Sequence, residues 1–217
     1  MHRPGPRGAH ARPKAALLGL LCGLGLGSLA PLGACTPTEG YVEVAWALID
    51  EGGTTLYPDG VLPNSCDFTG MFKTEGEGEG EGEGESEVTI REVKAILRVE
   101  LAICDPECEG GCDDPACQVI DPKSFACNTA RAQVTVPSSP HDYRFETRII
   151  AEIDGDPSCT CRLATACAQL PGPRARTVQG GLVTDLQVYQ VVLALDDPDT
   201  ATIDLTPCCE LPQSCNG

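Results

Sequence analysis

The chain of 217 residues carries 32 acidic against 15 basic side chains, a formal charge of −17, with 14 Cys, 24 Gly, 18 Pro and only 4% aromatics. That length suits one medium domain or two small ones, and the charge excludes a surface for nucleic acid or anionic lipid, which would repel it. Fourteen cysteines point to an oxidising compartment and exclude the usual cytosolic enzyme.

The first element is an address. Residues 1–14 hold Arg3, Arg7, Arg12 and Lys14 with no acid, and an uncharged apolar run follows from Ala15 to Gly33. Basic segment, short apolar segment and small residues make an export signal. The run contains five Gly and Pro31, which suits a permanent membrane helix poorly. Cleavage after Ser28-Leu29-Ala30 would place Pro31 first in the mature chain, an unfavourable start. Five residues on stands Leu32-Gly33-Ala34-Cys35, which resembles the lipobox of bacterial lipoproteins. The resemblance covers about the first 35 residues. It implies removal of residues 1–34, a diacylglyceryl group on the Cys35 sulfur and an acyl group on its amine. The partner it implies is a membrane, held through Cys35, with 35–39 as a tether. Thr36, where Asp would signal inner-membrane retention, implies the outer membrane. Two or more acyl chains make such an anchor durable, at about 0.8 kcal/mol per buried methylene. Removing four basic residues leaves 11 against 32 acids, net −21, and leaves His141 as the mature histidine.

From residue 40 the chain reads as strands. Gly40–Ile49 alternates, with Val42, Val44, Trp46 and Leu48 on one face. Trp46 is expected in the core. Residues 87–104 place Val93, Ala95, Leu97, Val99, Leu101 and Ile103 against Glu92, Lys94, Arg98 and Glu100. A helical template fits this run less well, and its β-branched content favours strand. Between these runs, residues 75–87 read EGEGEGEGEGESE; seven carboxylates alternating with small residues bury nothing and form a disordered acidic insert. Further strands are predicted over Arg131–Val136, His141–Asp154, Leu182–Leu195 and Thr200–Leu205, and a short helix over Arg162–Leu170. Several short strands between Pro, Gly and Asp turns predict an all-β fold, a disulfide-stapled antiparallel β-sandwich of immunoglobulin-like or transthyretin-like kind with long irregular loops, spanning 40–217. The segment VTVPSSPHDYRFETRIIAEID is similar to one in transthyretin-like and carboxypeptidase-regulatory-like sandwiches, where a strand ends in Val-Pro and an aromatic opens the next. Ser138, Ser139 and Pro140 stand where that family has Gly.

Removing Cys22 with the signal and assigning Cys35 to lipid leaves twelve cysteines, enough for six disulfides. Cys104, Cys108, Cys112 and Cys117 form a Cys-rich loop over 104–117, read as two local bridges. A zinc tetrathiolate would want closer pairs. Cys159, Cys161 and Cys167 face a second triplet, Cys208, Cys209 and Cys215, which suggests a C-terminal tail stapled to the 159–167 segment. Cys66 then remains for Cys127. Clustering alone carries that pairing.

Catalytic chemistry finds little support. His141 sits in a Pro-Ser turn, and Ser138 and Ser139 lack the strand–turn–helix setting of a nucleophile elbow. No phosphate-binding glycine motif follows a strand. Cys159-Thr160-Cys161 has the wrong spacing for a redox pair. The expectation is a non-catalytic, lipid-anchored envelope protein without a cofactor, serving a structural role or binding an unknown envelope or surface protein, with no nucleic acid. The alternatives are a calcium-binding or other cation-binding envelope protein using its acidic loops and, more remotely, a hydrolase.

Overall fold

Alternation becomes two facing sheets. The computed structural model describes residues 37–62, 65–75, 88–210 and 215. The export signal, the lipobox with Cys35, and insert positions 76–87 lie outside them. The strands are β1 (Glu39–Asp50), β2 (Thr55–Tyr57), β3 (Asp67–Glu75), β4 (Val88–Cys104), β5 (Gln118–Ala126), β6 (Arg131–Pro137), β7 (Asp142–Ile153), β8 (Thr160–Arg162), β9 (Ala168–Gln169), β10 (Arg174–Thr177), β11 (Val183–Leu193) and β12 (Thr202–Asp204).

One sheet runs β2-β1-β11-β9, with β6 also pairing β1. The other runs β10-β7-β4-β3-β12, with β5 on β4 and β8 on β7. Val42, Val44, Trp46 and Leu48 of β1 are buried, as are Val93 through Ile103 at alternate positions of β4 and Phe145, Ile149, Ala151 and Ile153 of β7. They belong to one hydrophobic cluster, to which β11 adds Leu186, Tyr189, Val191 and Leu193. Trp46 is a core residue: its indole N–H donates to the Cys127 carbonyl at 2.7 Å, and its ring stacks 6.1 Å from Phe125.

The fold is thus an all-β, disulfide-rich sandwich, with two corrections to the sequence reading. First, the sheets are mixed: β1 pairs β11 in parallel and β12 pairs β3 in parallel, while the other strand pairs are antiparallel. Each parallel partner arrives from far along the chain, and alternation of side chains carries no information on strand direction. Second, Arg162–Leu170 is not helical. It forms the end of β8, a turn, and β9. Leu163 N–H donates to the Ile149 carbonyl and Ala164 N–H to that of Cys208. Nine residues cannot sustain a helix against such pinning. The β6 and β7 strands flanking the Val-Pro-Ser-Ser-Pro turn lie in different sheets, so that turn is an arch between layers rather than a hairpin.

Candidate functional site

Six disulfides join the twelve cysteines. Cys66 pairs with Cys127, fastening the start of β3 to the turn after β5. Within the Cys-rich loop, Cys104 pairs with Cys112 and Cys108 with Cys117. Cys159, Cys161 and Cys167 take Cys215, Cys209 and Cys208 in turn, a ladder holding the C-terminal segment. Every thiolate that could have held zinc in the 104–117 loop is engaged in a disulfide. Cys112 and Cys117 instead pack with Ala102 and Cys104 in a small second cluster on the outer face of the β4 sheet.

That placement creates a buried charge site the sequence reading missed. Arg148 of β7 is buried, and its guanidinium reaches Asp113 of the Cys-rich loop at 2.7 Å, Glu100 of β4 at 3.2 Å and Glu146 at 3.9 Å. Arg162 meets the same Asp113 oxygen at 2.6 Å. Glu100 and Arg148 are register partners across β4 and β7. The site needs that register and the folded-over loop, and neither leaves a motif in the sequence. Its chemistry is that of a clamp: Arg148 and Arg162 each face carboxylates and tie the Cys-rich loop to the sheet.

The acidic turns are engaged likewise. Asp156 accepts from the Ser158 hydroxyl at 2.7 Å and the Ser158 amide at 2.9 Å, which lowers its pKa. Asp197 accepts from the Thr200 hydroxyl and the Asp199 amide, with the same effect. Asp105 and Asp114 accept from amides two residues on. Carboxylates spent on their own turns stay apart. Among the described residues no group of three or more His, Cys, Asp or Glu is arranged to hold a metal ion.

His141 lines an open cleft of about 680 Å³ with Asp105, Pro106 and Glu107 of the Cys-rich loop and Ser139, Pro140, Asp142 and Tyr143. The Ser139 hydroxyl accepts the backbone N–H of His141 at 3.0 Å, and Ser138 donates its hydroxyl to the Thr38 carbonyl at 3.1 Å. Both serines thereby shape the turn, and neither hydroxyl is bonded to the imidazole.

The described chain begins in a clamp. Thr38 also accepts the Ser138 amide at 2.8 Å, and Glu39 accepts the Gly181 amide at 2.7 Å. A Cβ on Gly40 would stand 2.4 Å from the Gln179 carbonyl oxygen, and one on Gly180 would stand 1.8 Å from that of Pro37. Only glycine lets these backbones approach so closely. Residues 37–41 are therefore fixed between the 138–139 and 178–182 turns, and Cys35 precedes the clamp with Thr36 alone between it and Pro37. At most about 3.6 Å per residue separates them. Among the described residues no helix is long and apolar enough to cross a membrane. No protein-family model matches the chain, and no curated protein matches it.

Proposed function

We propose that this chain is a non-catalytic, lipid-anchored protein of the bacterial cell envelope, facing the periplasm or the surface from the outer membrane, and acting as a structural or protein-binding module. The observation that carries the reading is the lipobox Leu32-Gly33-Ala34-Cys35, which ends one residue short of a clamped, disulfide-laced sandwich. In this reading the Cys35 thiol loses its proton and displaces the phosphate headgroup of a membrane phospholipid to form the diacylglyceryl thioether. Water then hydrolyses the Ala34–Cys35 amide, and the freed amine takes an acyl chain from a second phospholipid, which leaves as the lysophospholipid. The twelve remaining cysteines, all bridged, suit an oxidising exterior. A disulfide-laced sandwich whose buried Arg148 is held by carboxylates supports a holding role better than a chemical one. Expressed in a bacterium, the wild-type chain is expected in the membrane fraction, labelled by a palmitate analogue. Cys35→Ser, which cannot be alkylated and so is not cleaved before residue 35, is expected unlabelled, still carrying residues 1–34 and with its disulfides formed. Equal palmitate labelling of both would overturn the anchor.

A further inference from the structure

An exposed apolar rim lies close in sequence and register to the clamp that starts β1. Tyr41 is 45% exposed, Leu182 56% and Val183 54%. Tyr41 and Val183 are register partners across the parallel β1–β11 pair, and Tyr41 N–H donates to the Leu182 carbonyl at 2.9 Å. Tyr41 and Val183 thus stand side by side on the outer face of the sheet, and Leu182 lies in the turn next to them. Cys35 lies six residues from Tyr41 and two from Pro37, and Pro37 itself sits against Gly180 and Gly181 in the turn that leads to Leu182. An acyl chain on Cys35 would start within about 7 Å of Pro37. A tether that short holds whatever surrounds it at the lipid surface.

We infer that Tyr41, Leu182 and Val183 form a membrane-contacting rim that seats the domain end-on in the headgroup region, an inference that rests on the proposed anchor at Cys35. Tyrosine is suited to that depth, with an apolar ring and a hydroxyl that stays wet. Carboxylates on both sides of the rim keep it at headgroup depth. Glu39 stands on the same outer face two residues before Tyr41, and Glu43 stands opposite Asp185 two residues after it, and all three resist transfer out of water. One row further, Val188 pairs with Ala45, about 13 Å along the strand from Tyr41. Val188 is 51% exposed and stays in water, so the sheet stands on its end rather than lying on its face.

The test uses the mature lipidated chain reconstituted into phosphatidylcholine vesicles with or without bromine on the acyl chains. Tyr41→Trp and Val188→Trp each add a reporter at an exposed position, and the buried Trp46 signal is subtracted from the wild type. Sedimentation with the vesicles reports the anchor separately. Emission of the Tyr41→Trp protein is expected to fall at least about twofold in brominated vesicles, as for a ring at the headgroup boundary. Val188→Trp should be unaffected, and Leu182→Asp with Val183→Asp added to Tyr41→Trp should abolish the quenching without releasing the protein. If the proteins sediment but Tyr41→Trp is unquenched, or Val188→Trp is quenched equally, the end-on rim is wrong while the anchor stands. A concentration-dependent dimer that shields Tyr41→Trp from lipid would overturn it in the same way, by giving the rim to a second copy. Failure to sediment overturns the anchor and the rim with it.

Discussion

Removing the Cys66–Cys127 bridge should cost more stability than removing any single rung of the C-terminal ladder. The bridge closes 61 residues of chain, and the two local bridges inside that span shorten the effective loop only slightly. Chain-entropy reasoning puts its contribution near 4 kcal/mol. The Cys159–Cys215 bridge spans nearly as much chain, 56 residues, but Cys161–Cys209 already closes almost the same loop. With that inner rung in place, the outer one closes only residues 159–161 and 209–215, worth about 2.5 kcal/mol by the same relation. Paired Cys→Ala variants, unfolded in guanidinium with both midpoint and slope fitted, measure the difference. We expect Cys66→Ala with Cys127→Ala to lose about 1.5 kcal/mol more than Cys159→Ala with Cys215→Ala. Equal losses, or a larger loss for the outer rung, would refute the nested-loop account.

Other expectations concern packing and charge. Arg148→Ala leaves Glu100 largely buried without its cation, while Glu146 keeps Arg144 at 2.6 Å, and should cost about 2–4 kcal/mol in thermal or denaturant unfolding. Arg98→Ala, which breaks the longer 3.6 Å contact to Glu152 at a more exposed position, should cost under about 1 kcal/mol. Trp46→Phe keeps a ring in the core but removes the buried indole N–H bond to the Cys127 carbonyl, which still accepts the Ala130 amide, for a loss of about 0.5–1.5 kcal/mol. Acid should destabilise the domain through Asp156, Asp197 and Asp204. For Asp204 burial works upward, but the Lys73 and Thr206 hydrogen bonds outweigh it and its pKa is lowered. Groups held low when folded contribute fully above the unfolded value of about 3.9, and that contribution fades as pH falls through the folded values. Lys73 is shifted upward, chiefly by its hydrogen bond to Asp204, so its share is complete below about pH 10 and lost as pH rises through its folded value. Unfolding midpoints measured from pH 2 to 11 should therefore be level between about pH 5 and 9 and fall on both sides. A steady decline from pH 8 to 5 would contradict this.

What could be read in the sequence follows from which elements keep one face dry. β1, β4 and β7 lie inside the sheets and alternate over long runs, so Val42, Leu97 and Ile149 announce their buried face by periodicity alone. β3 and β5 do not announce themselves. β3 faces the core with Phe68, Gly70 and Phe72, and at Gly70, where a Cβ would stand 2.5 Å from the Leu205 side chain, the apolar alternation is interrupted. β5 contains Pro122, tolerated because the strand pairs with β4 alone and its register shifts there. The twelve cysteines were legible as groups because each bridge joins cysteines that cluster in sequence or remain when clusters are matched. The Arg148 clamp and the Tyr41–Val183 rim were not. Each depends on cross-strand register, and the parallel β1–β11 pair brings together residues more than a hundred positions apart.

The anchor is tested most directly by the mass of the N-terminal peptide of the mature protein isolated from cells. The account predicts a peptide beginning at Cys35 and heavier by a thioether-linked diacylglyceryl group and an amide-linked acyl chain. A peptide beginning at Pro31 or Met1, with the Cys35 sulfur unmodified, would contradict it.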